Sequence, residues 1–347
     1  MQRYDYYFEF QKISAIFAEN CSLFIVHCSL FMPYLLIIIG FGLLIFGANY
    51  LIDGAVGIAK RFKVSDLVIG LTIVAFGTSA PELVVNLVAA INPSTTDLAL
   101  TNIIGSNTIN TFVILGATAL VFPVKSQMSS RKFDIPLSLA APLLLLAPVF
   151  LHHEISRTDG VILLIIFSFF MLMVVRKALK SRMSLQTEEK VNTGKKGLKA
   201  WLCFLMVGGG LILLVAGGKI IVNSATVIAV SLGISQAVIG LTIVALGTSL
   251  PELATSVVAA FKKNSDIALG NVIGSNIFNV FFVLGISATI RPLPVYHNIV
   301  VDLLIAASGS LLVLIFVMTN KKYEIKRWEG FLLLSIYLTY LYFVIGR

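Results

Sequence analysis

Charge is what this chain has least of. Only 12% of its 347 residues are Asp, Glu, Lys or Arg, about half the ~25% of an average soluble domain. That scarcity excludes a soluble enzyme of ordinary composition and a disordered chain. Cysteine is nearly absent as well. Cys21, Cys28 and Cys203 offer neither a disulfide framework nor zinc-ligand spacing, which excludes a secreted disulfide scaffold. The four histidines (His27, His152, His153, His297) form no HExxH pattern. An intramembrane protease would need that pattern, a Ser-His arrangement or a catalytic Asp pair within the spans, so no enzyme and no cofactor are expected. The net charge of +9 is not gathered into one block or stripe, which argues against nucleic acid as a partner.

What is present is apolar. Hydrophobic residues make up 58% of the chain and the mean hydropathy is +0.95. The fold class expected is an all-α polytopic membrane protein, with the lipid bilayer as its surroundings. At roughly 20 apolar residues per crossing there is room for about ten spans. Residues 1–31 contain Lys12 and Glu19 and lack a small-residue cleavage site, so they do not read as a signal peptide. The strong apolar run opens at Met32-Pro33. Residues 1–32 are therefore expected to be an N-terminal extension, with Met32 as the natural start; a short peripheral helix is the alternative.

The chain repeats itself. Residues 70–90 read GLTIVAFGTSAPELVVNLVAA and residues 240–260 read GLTIVALGTSLPELATSVVAA, identical at fifteen of twenty-one positions. Downstream, DLALTNIIGSNTINTFVILG (97–116) matches DIALGNVIGSNIFNVFFVLG (266–285). Pro, Glu, Asn, Ser and Thr match in register, which a shared apolar alphabet does not produce. A repeat of this kind signals a duplicated architecture. Five spans per half are expected, near 33–59, 65–92, 97–122, 133–151 and 159–176, then near 200–222, 235–260, 266–290, 298–318 and 329–345. The expected organisation is a first five-helix repeat over 33–176, a basic loop over 177–199 and a second five-helix repeat over 200–347.

An odd number of spans per half turns the second half upside down relative to the first. Charge tests this. With the central loop cytoplasmic, 20 of the 26 Lys and Arg fall in inner segments, as the excess of basic residues in cytoplasmic loops requires. Lys219 lies near the outer end of its span and can snorkel. Trp201 and Trp328 fall at inner interfaces. The expectation is ten transmembrane helices in two inverted repeats, N-terminus outside, central loop cytoplasmic, in a bacterial-type inner membrane. Such repeats place a substrate site at their interface near the midplane in many secondary transporters. Every span can be satisfied within one chain, so a monomer is expected.

Two carboxylates carry the chemistry. Glu82 and Glu252 lie inside otherwise apolar segments, where a charge costs at least about 2.5–3.5 kcal/mol. Pro81 and Pro251 stand directly before them and release the carbonyls of Gly77 and Gly247, four residues back. The Thr78-Ser79 and Thr248-Ser249 pairs follow those glycines, which makes a kink there easy. Carbonyls, hydroxyls and a carboxylate are hard oxygen ligands suited to Ca2+ or Na+. The neighbouring segments add Ser106, Asn107 and Asn110, and at the repeated positions Ser275, Asn276 and Asn279. Beside the two glutamates these are read as coordinating, with interhelical hydrogen bonding as the alternative. The glycines around 40–47 and 208–218 read as close helix contact, with helix sliding as the alternative. Asp53 reads as structural, within reach of Lys60, and Asp97 and Asp266 as helix caps.

At GTSAPE (77–82) and GTSLPE (247–252), each followed by GSN-x-x-N, the chain resembles the sodium/calcium exchangers of the cation/calcium antiporter superfamily, in their prokaryotic form. The resemblance covers about 33–345. It implies ten helices in two inverted halves and antiport of Ca2+ against Na+ by alternating access. It implies a calcium site at Glu82 and Glu252 with the backbone carbonyls of Thr78 and Thr248. It implies flanking sodium sites at Ser79, Ser249, Ser106 and Ser275 with the carbonyls of Ala75 and Ala245. Asn110 and Asn279 match the polar positions at the centre. Some members, including the potassium-dependent ones, carry Asp where this chain has Asn279, which argues against potassium dependence. The family's stoichiometry of three Na+ per Ca2+ implies electrogenic export of Ca2+. A proton/calcium antiporter of the same superfamily is the runner-up reading, and a cation channel a more distant one.

Overall fold

The computed structural model describes residues 2–92, 96–188, 199–233 and 245–345, with side chains over 32–92, 98–179, 199–233 and 246–343. It is helical throughout, apart from two minimal sheets. In chain order the elements are α1 (Gln2–Phe62), α2 (Asp66–Thr78), α3 (Ala80–Ile91), α4 (Leu98–Val121), β1 (Val124–Lys125), α5 (Ser130–His152), β2 (Glu154–Ile155) and α6 (Arg157–Glu188). After the central segment come α7 (Ala200–Ser231), α8 (Ala245–Thr248), α9 (Leu250–Phe261), α10 (Ser265–Ile290), β3 (Leu293–Pro294), α11 (Ile299–Thr319), β4 (Glu324–Ile325) and α12 (Arg327–Ile345).

Among the described residues seven helices are long and apolar enough to cross a membrane, or eight if the bent pair α2–α3 is one span. This is a helical, polytopic membrane fold. The expected span near 235–260 falls on α8 and α9, with 234–244 outside the described residues. The expected span near 329–345 falls on α12. Three helices run longer than the sequence suggested: α1 continues from Gln2 through Pro33, α6 reaches Glu188 and α7 reaches Ser231.

Burial sorts the helices into two shells. In α10, 94% of the most apolar stretch is buried, and in α4 78%, against 22–33% in α1, α6 and α7. The central pair is therefore screened on all sides, and the outer helices present Ile38, Phe46, Ile165, Phe169, Leu205 and Ile212 outward. An exterior this apolar suits lipid, where helices associate by close packing of small residues.

Glycine makes that packing possible. A Cβ on Gly47 would lie 2.8 Å from the Gly210 carbonyl oxygen, and one on Gly217 2.8 Å from that of Gly40. The backbones of α1 and α7 thus touch at two crossed pairs, Gly47 with Gly210 and Gly40 with Gly217. The same crossing recurs at Gly116 with Gly330 and at Gly160 with Gly285. Gly42, Gly208 and Gly209 have nothing within 4 Å of such a Cβ, so contact explains only part of the glycine content.

Repeat-related segments fold alike. Lys63 and Gly233 have φ of 58° and 76°, and His153 and Tyr323 have 54° and 52°; each pair is one repeat length apart. The Ser156 amide donates to Asp159 (2.9 Å), and the Lys326 amide donates to Glu329 (2.7 Å). The sheets cross between halves: β1 pairs antiparallel with β4, and β2 with β3. Paired strands must lie on the same side of the molecule. The loops after α4 and α11 therefore share one side, and those after α5 and α10 share one side.

Two smaller expectations are corrected. Asp53 pairs with Lys262 (2.6 Å), not with Lys60; the partner comes from the end of α9, which no local spacing reveals. Asp266 is not the cap of α10. Asn264 caps it by accepting from the Ile267 amide (3.1 Å), while Asp266 takes a hydrogen bond from Gln127 (2.7 Å). The side chain of Asp97 lies outside the described residues.

Candidate functional site

The site is assembled where two helices break. α2 and α3 meet at a 47° bend across Ser79. Pro81 sits in the first turn of α3, where its missing N–H costs least, and it withholds the donor that Gly77 would otherwise receive. The second half does the same at Ser249, with Pro251 in the first turn of α9. Ser79 and Ser249 share a non-helical conformation (φ −82°, ψ 8° and φ −90°, ψ 3°). Both glutamates follow in the first turn, fully buried, at a helix N-terminus whose dipole favours a carboxylate.

The serines are exchanged between the halves. Ser79, from the first half, donates to Glu252 Oε1 (2.9 Å), and Ser275 approaches the same oxygen (3.5 Å). Ser249, from the second half, approaches Glu82 Oε1 (3.4 Å) together with Ser106 (3.3 Å). Ser106 and Ser249 lie 3.1 Å apart. Each Oε1 is thus served by one serine from each half. Glu82 Oε2 and Glu252 Oε2 have no hydrogen-bond partner. The ion pairs Lys177–Asp134 and Lys262–Asp53 lie away from the glutamates. Lys219 is exposed on α7.

The central helices supply the amides. Asn110 lies in a π-helical turn (Asn110–Ile114) and Asn279 in another (Phe278–Leu284); such turns are frequent at functional sites. Asn110 is fully buried with neither side-chain polar atom partnered. Asn279 donates to Ser106 Oγ (3.3 Å) and Asn107 Oδ1 (3.0 Å), and its own Oδ1 is unpartnered. Asn107 and Asn276 mainly stitch α4 to α10: Asn107 donates to the Asn276 carbonyl (3.2 Å) and Asn276 to Thr111 (2.8 Å). For these two the interhelical alternative describes the contacts.

Thr78 closes α2 and is fully buried, whereas Thr248 at the end of α8 is partly exposed. The Ala75 carbonyl accepts the Ser79 amide (3.0 Å) and has the Thr78 hydroxyl 3.4 Å away. Ala245 opens α8; its side chain lies outside the described residues. The structure therefore brings the predicted residues into two hydrogen-bonded groups, Glu252 with Ser79 and Ser275, and Glu82 with Ser249, Ser106 and Asn279, with Thr78 and Ala75 beside Ser79.

Sequence reasoning missed Asn86, Ser256 and Asn271. Asn86 donates to the Ala99 carbonyl (2.9 Å) and accepts from Asn102 (2.8 Å). Asn271 donates to Ser256 (2.9 Å). A signal was available: Asn102 and Asn271 match in the downstream repeat.

The donor set is all oxygen and amide. Among the described residues no cluster of three or more His, Cys, Asp and Glu could hold a resident metal ion. Two buried carboxylates, each with an orphaned oxygen, form a cation-seeking arrangement. Burying such atoms unpaired costs free energy that a bound cation repays.

Known proteins agree in kind. The family profile described as "Sodium/calcium exchanger protein" matches residues 32–176 and 201–346. The chain is 33% identical over 319 residues to the sodium/calcium exchanger MaX1 of Methanosarcina acetivorans, covering 82% of this chain and 90% of the relative. It is 37% identical over 300 residues to a putative antiporter CaxA of Alkalimonas amylolytica, covering 83% and 91%. A solved structure of the sodium-calcium exchanger NCX_Mj, soaked with zero Na+ and Ca2+, superposes with a TM-score of 0.76 at 31% identity, covering 91% of this chain and 99% of that one. The two broken helices, their paired glutamates and these likenesses lead to one conclusion: the chain belongs to the sodium/calcium exchanger family.

Proposed function

We propose that the protein exchanges Na+ for Ca2+ across the membrane by alternating access, exporting Ca2+ electrogenically. One observation carries the reading: Glu82 and Glu252 are fully buried, each with one oxygen bracketed by serines from both halves and one oxygen unpartnered. Two ionised glutamates carry −2 and neutralise one Ca2+. Their free oxygens, with the carbonyls of Thr78 and Thr248, form the calcium site. A serine hydroxyl that donates to a carboxylate keeps its lone pairs. Na+ is therefore held beside the same carboxylates by Ser79, Ser249, Ser106 and Ser275 with the carbonyls of Ala75 and Ala245. Asn110 and Asn279 line the centre.

Sharing of the carboxylates is the exchange rule. Calcium and sodium exclude one another because both need Glu82 and Glu252. A site holding neither leaves two bare charges in a dry interior, and that state resists the conformational switch. Three Na+ against one Ca2+ leave the loaded site one charge more positive, which couples transport to voltage by about 2.3 kcal/mol per charge per 100 mV.

The architecture that serves this is ten spans in two inverted five-helix repeats, 33–176 and 200–347, with an extension over 1–32 and a basic cytoplasmic loop over 177–199. The crossed glycine pairs and the crossed β1–β4 and β2–β3 pairings support it. The N-terminus is outside, the membrane is the inner membrane, and the working unit is a monomer. Sodium is favoured over protons because proton coupling needs no second set of hydroxyl ligands, and four serines are present.

The test is equilibrium binding of radioactive calcium to purified protein. Calcium should bind one per chain and be displaced by sodium with a Hill coefficient above one. Binding indifferent to sodium, or displaced by protons alone, overturns the reading.

A further inference from the structure

Resting on that reading, we propose that Asn271 is a positioning residue that clamps the calcium ligands of the two halves together. Its side chain lies outside the site described above but touches two of its members. Thr78 Oγ1 donates to Asn271 Oδ1 (3.0 Å). Asn271 Nδ2 donates to the backbone carbonyl of Glu252 (3.3 Å) and to Ser256 Oγ (2.9 Å). Asn271 is fully buried on α10. Thr78 belongs to the first half's broken helix and Glu252 to the second's, so a single amide bridges the two.

The amide's orientation follows from chemistry. The Glu252 carbonyl can only accept, so it must face Nδ2, and the remaining oxygen then faces the Thr78 hydroxyl. The Thr78 hydroxyl makes its shorter hydrogen bond to Asn271 (3.0 Å) and its longer one to the Ala75 carbonyl (3.4 Å), which ties the end of α2 to α10. The Thr78 carbonyl and the Glu252 carboxylate are thereby held at a set separation. A site whose ligands are locked by such partners binds a small cation more tightly than one whose ligands wander.

The repeat-related residue Asn102 gives its Nδ2 to Asn86 (2.8 Å), the counterpart of the bond from Asn271 to Ser256 (2.9 Å). Thr78 is fully buried, and Thr248 is partly exposed. Thr78, in the first half, is anchored on the second half through Asn271.

The experiment measures half-saturating Ca2+, half-saturating Na+ and maximal rate in proteoliposomes for wild type, Asn271→Ala, Thr78→Val and the double variant. Asn271→Ala should raise half-saturating Ca2+ tenfold or more, with a smaller change in Na+ dependence. Thr78→Val cuts the same bond from its other end and should move Ca2+ in the same direction. The double variant should be no worse than the worse single one. An unchanged half-saturating Ca2+ in either Thr78→Val or Asn271→Ala, or equal losses for both ions, overturns the assignment, and Thr78→Val decides it even if Asn271→Ala does not fold. A wild type without sodium-dependent uptake overturns the exchanger reading and this assignment with it. A wild type that exchanges normally beside an indifferent Asn271→Ala overturns this assignment alone.

Discussion

Glu252→Gln separates electrostatics from packing more cleanly than any other single change. Glutamine has the same shape, and its Oε1 can still accept from Ser79 and Ser275, which now stand 2.9 and 3.5 Å from the carboxylate oxygen. Its Nε2 replaces Oε2, the atom that has no partner. No hydrogen bond is lost and one buried charge disappears, so the fold should be as stable as wild type or more so. Binding should suffer severely. Two unit charges about 4 Å apart interact by about 4 kcal/mol at an effective dielectric near 20, and a divalent ion doubles that. The amide oxygen and relief from desolvation offset part of it. A net loss of about 4 kcal/mol corresponds to roughly a thousandfold weaker calcium binding. Calcium titration and thermal unfolding on one preparation read both quantities. Calcium affinity within tenfold of wild type, or a large fall in unfolding temperature, would refute the reasoning.

Two other perturbations test the scaffold. Gly210→Leu puts a side chain where a Cβ alone would meet Leu51 N at 2.6 Å and the Gly47 carbonyl at 2.7 Å; overpacking costs about 1–3 kcal/mol or more, so folded yield in detergent should collapse, whereas Gly208→Ala, with nothing within 4 Å, should purify like wild type. Lys177→Met strands the fully buried Asp134, whose Oδ1 it holds at 3.0 Å, and should destabilise by about 1–3 kcal/mol, the cost of leaving a buried polar group without its partner. Adding Asp134→Asn should recover most of that stability, as read by thermal unfolding.

The glutamates were legible because polar residues stand out in an apolar chain, and because Glu82 and Glu252 recur with their Pro, Thr and Ser in register. The kinks at Ser79 and Ser249 followed from proline's missing donor. Pairings across the molecule were not legible. Ser79 serves Glu252 rather than its near neighbour Glu82, an exchange set by how the halves cross, and sequence spacing within one half carries no trace of it. Asn271 was hidden for the same reason, since its partners Thr78 and Glu252 approach from different helices. Asp53 was assigned to Lys60 on its own helix, but α9 brings Lys262 closer. Asp266 resembled a cap by position, and Asn264 took that role because its side chain reaches the Ile267 amide.

The central claim is obligatory exchange of sodium for calcium. Uptake of radioactive calcium into proteoliposomes of the purified protein tests it most directly, with an outward sodium gradient, an outward proton gradient, or neither. The account predicts uptake only with sodium inside, accelerated by an inside-positive potential and abolished by collapsing the sodium gradient with an ionophore. Uptake driven by the proton gradient alone, or passive flux with no counter-ion, would contradict it.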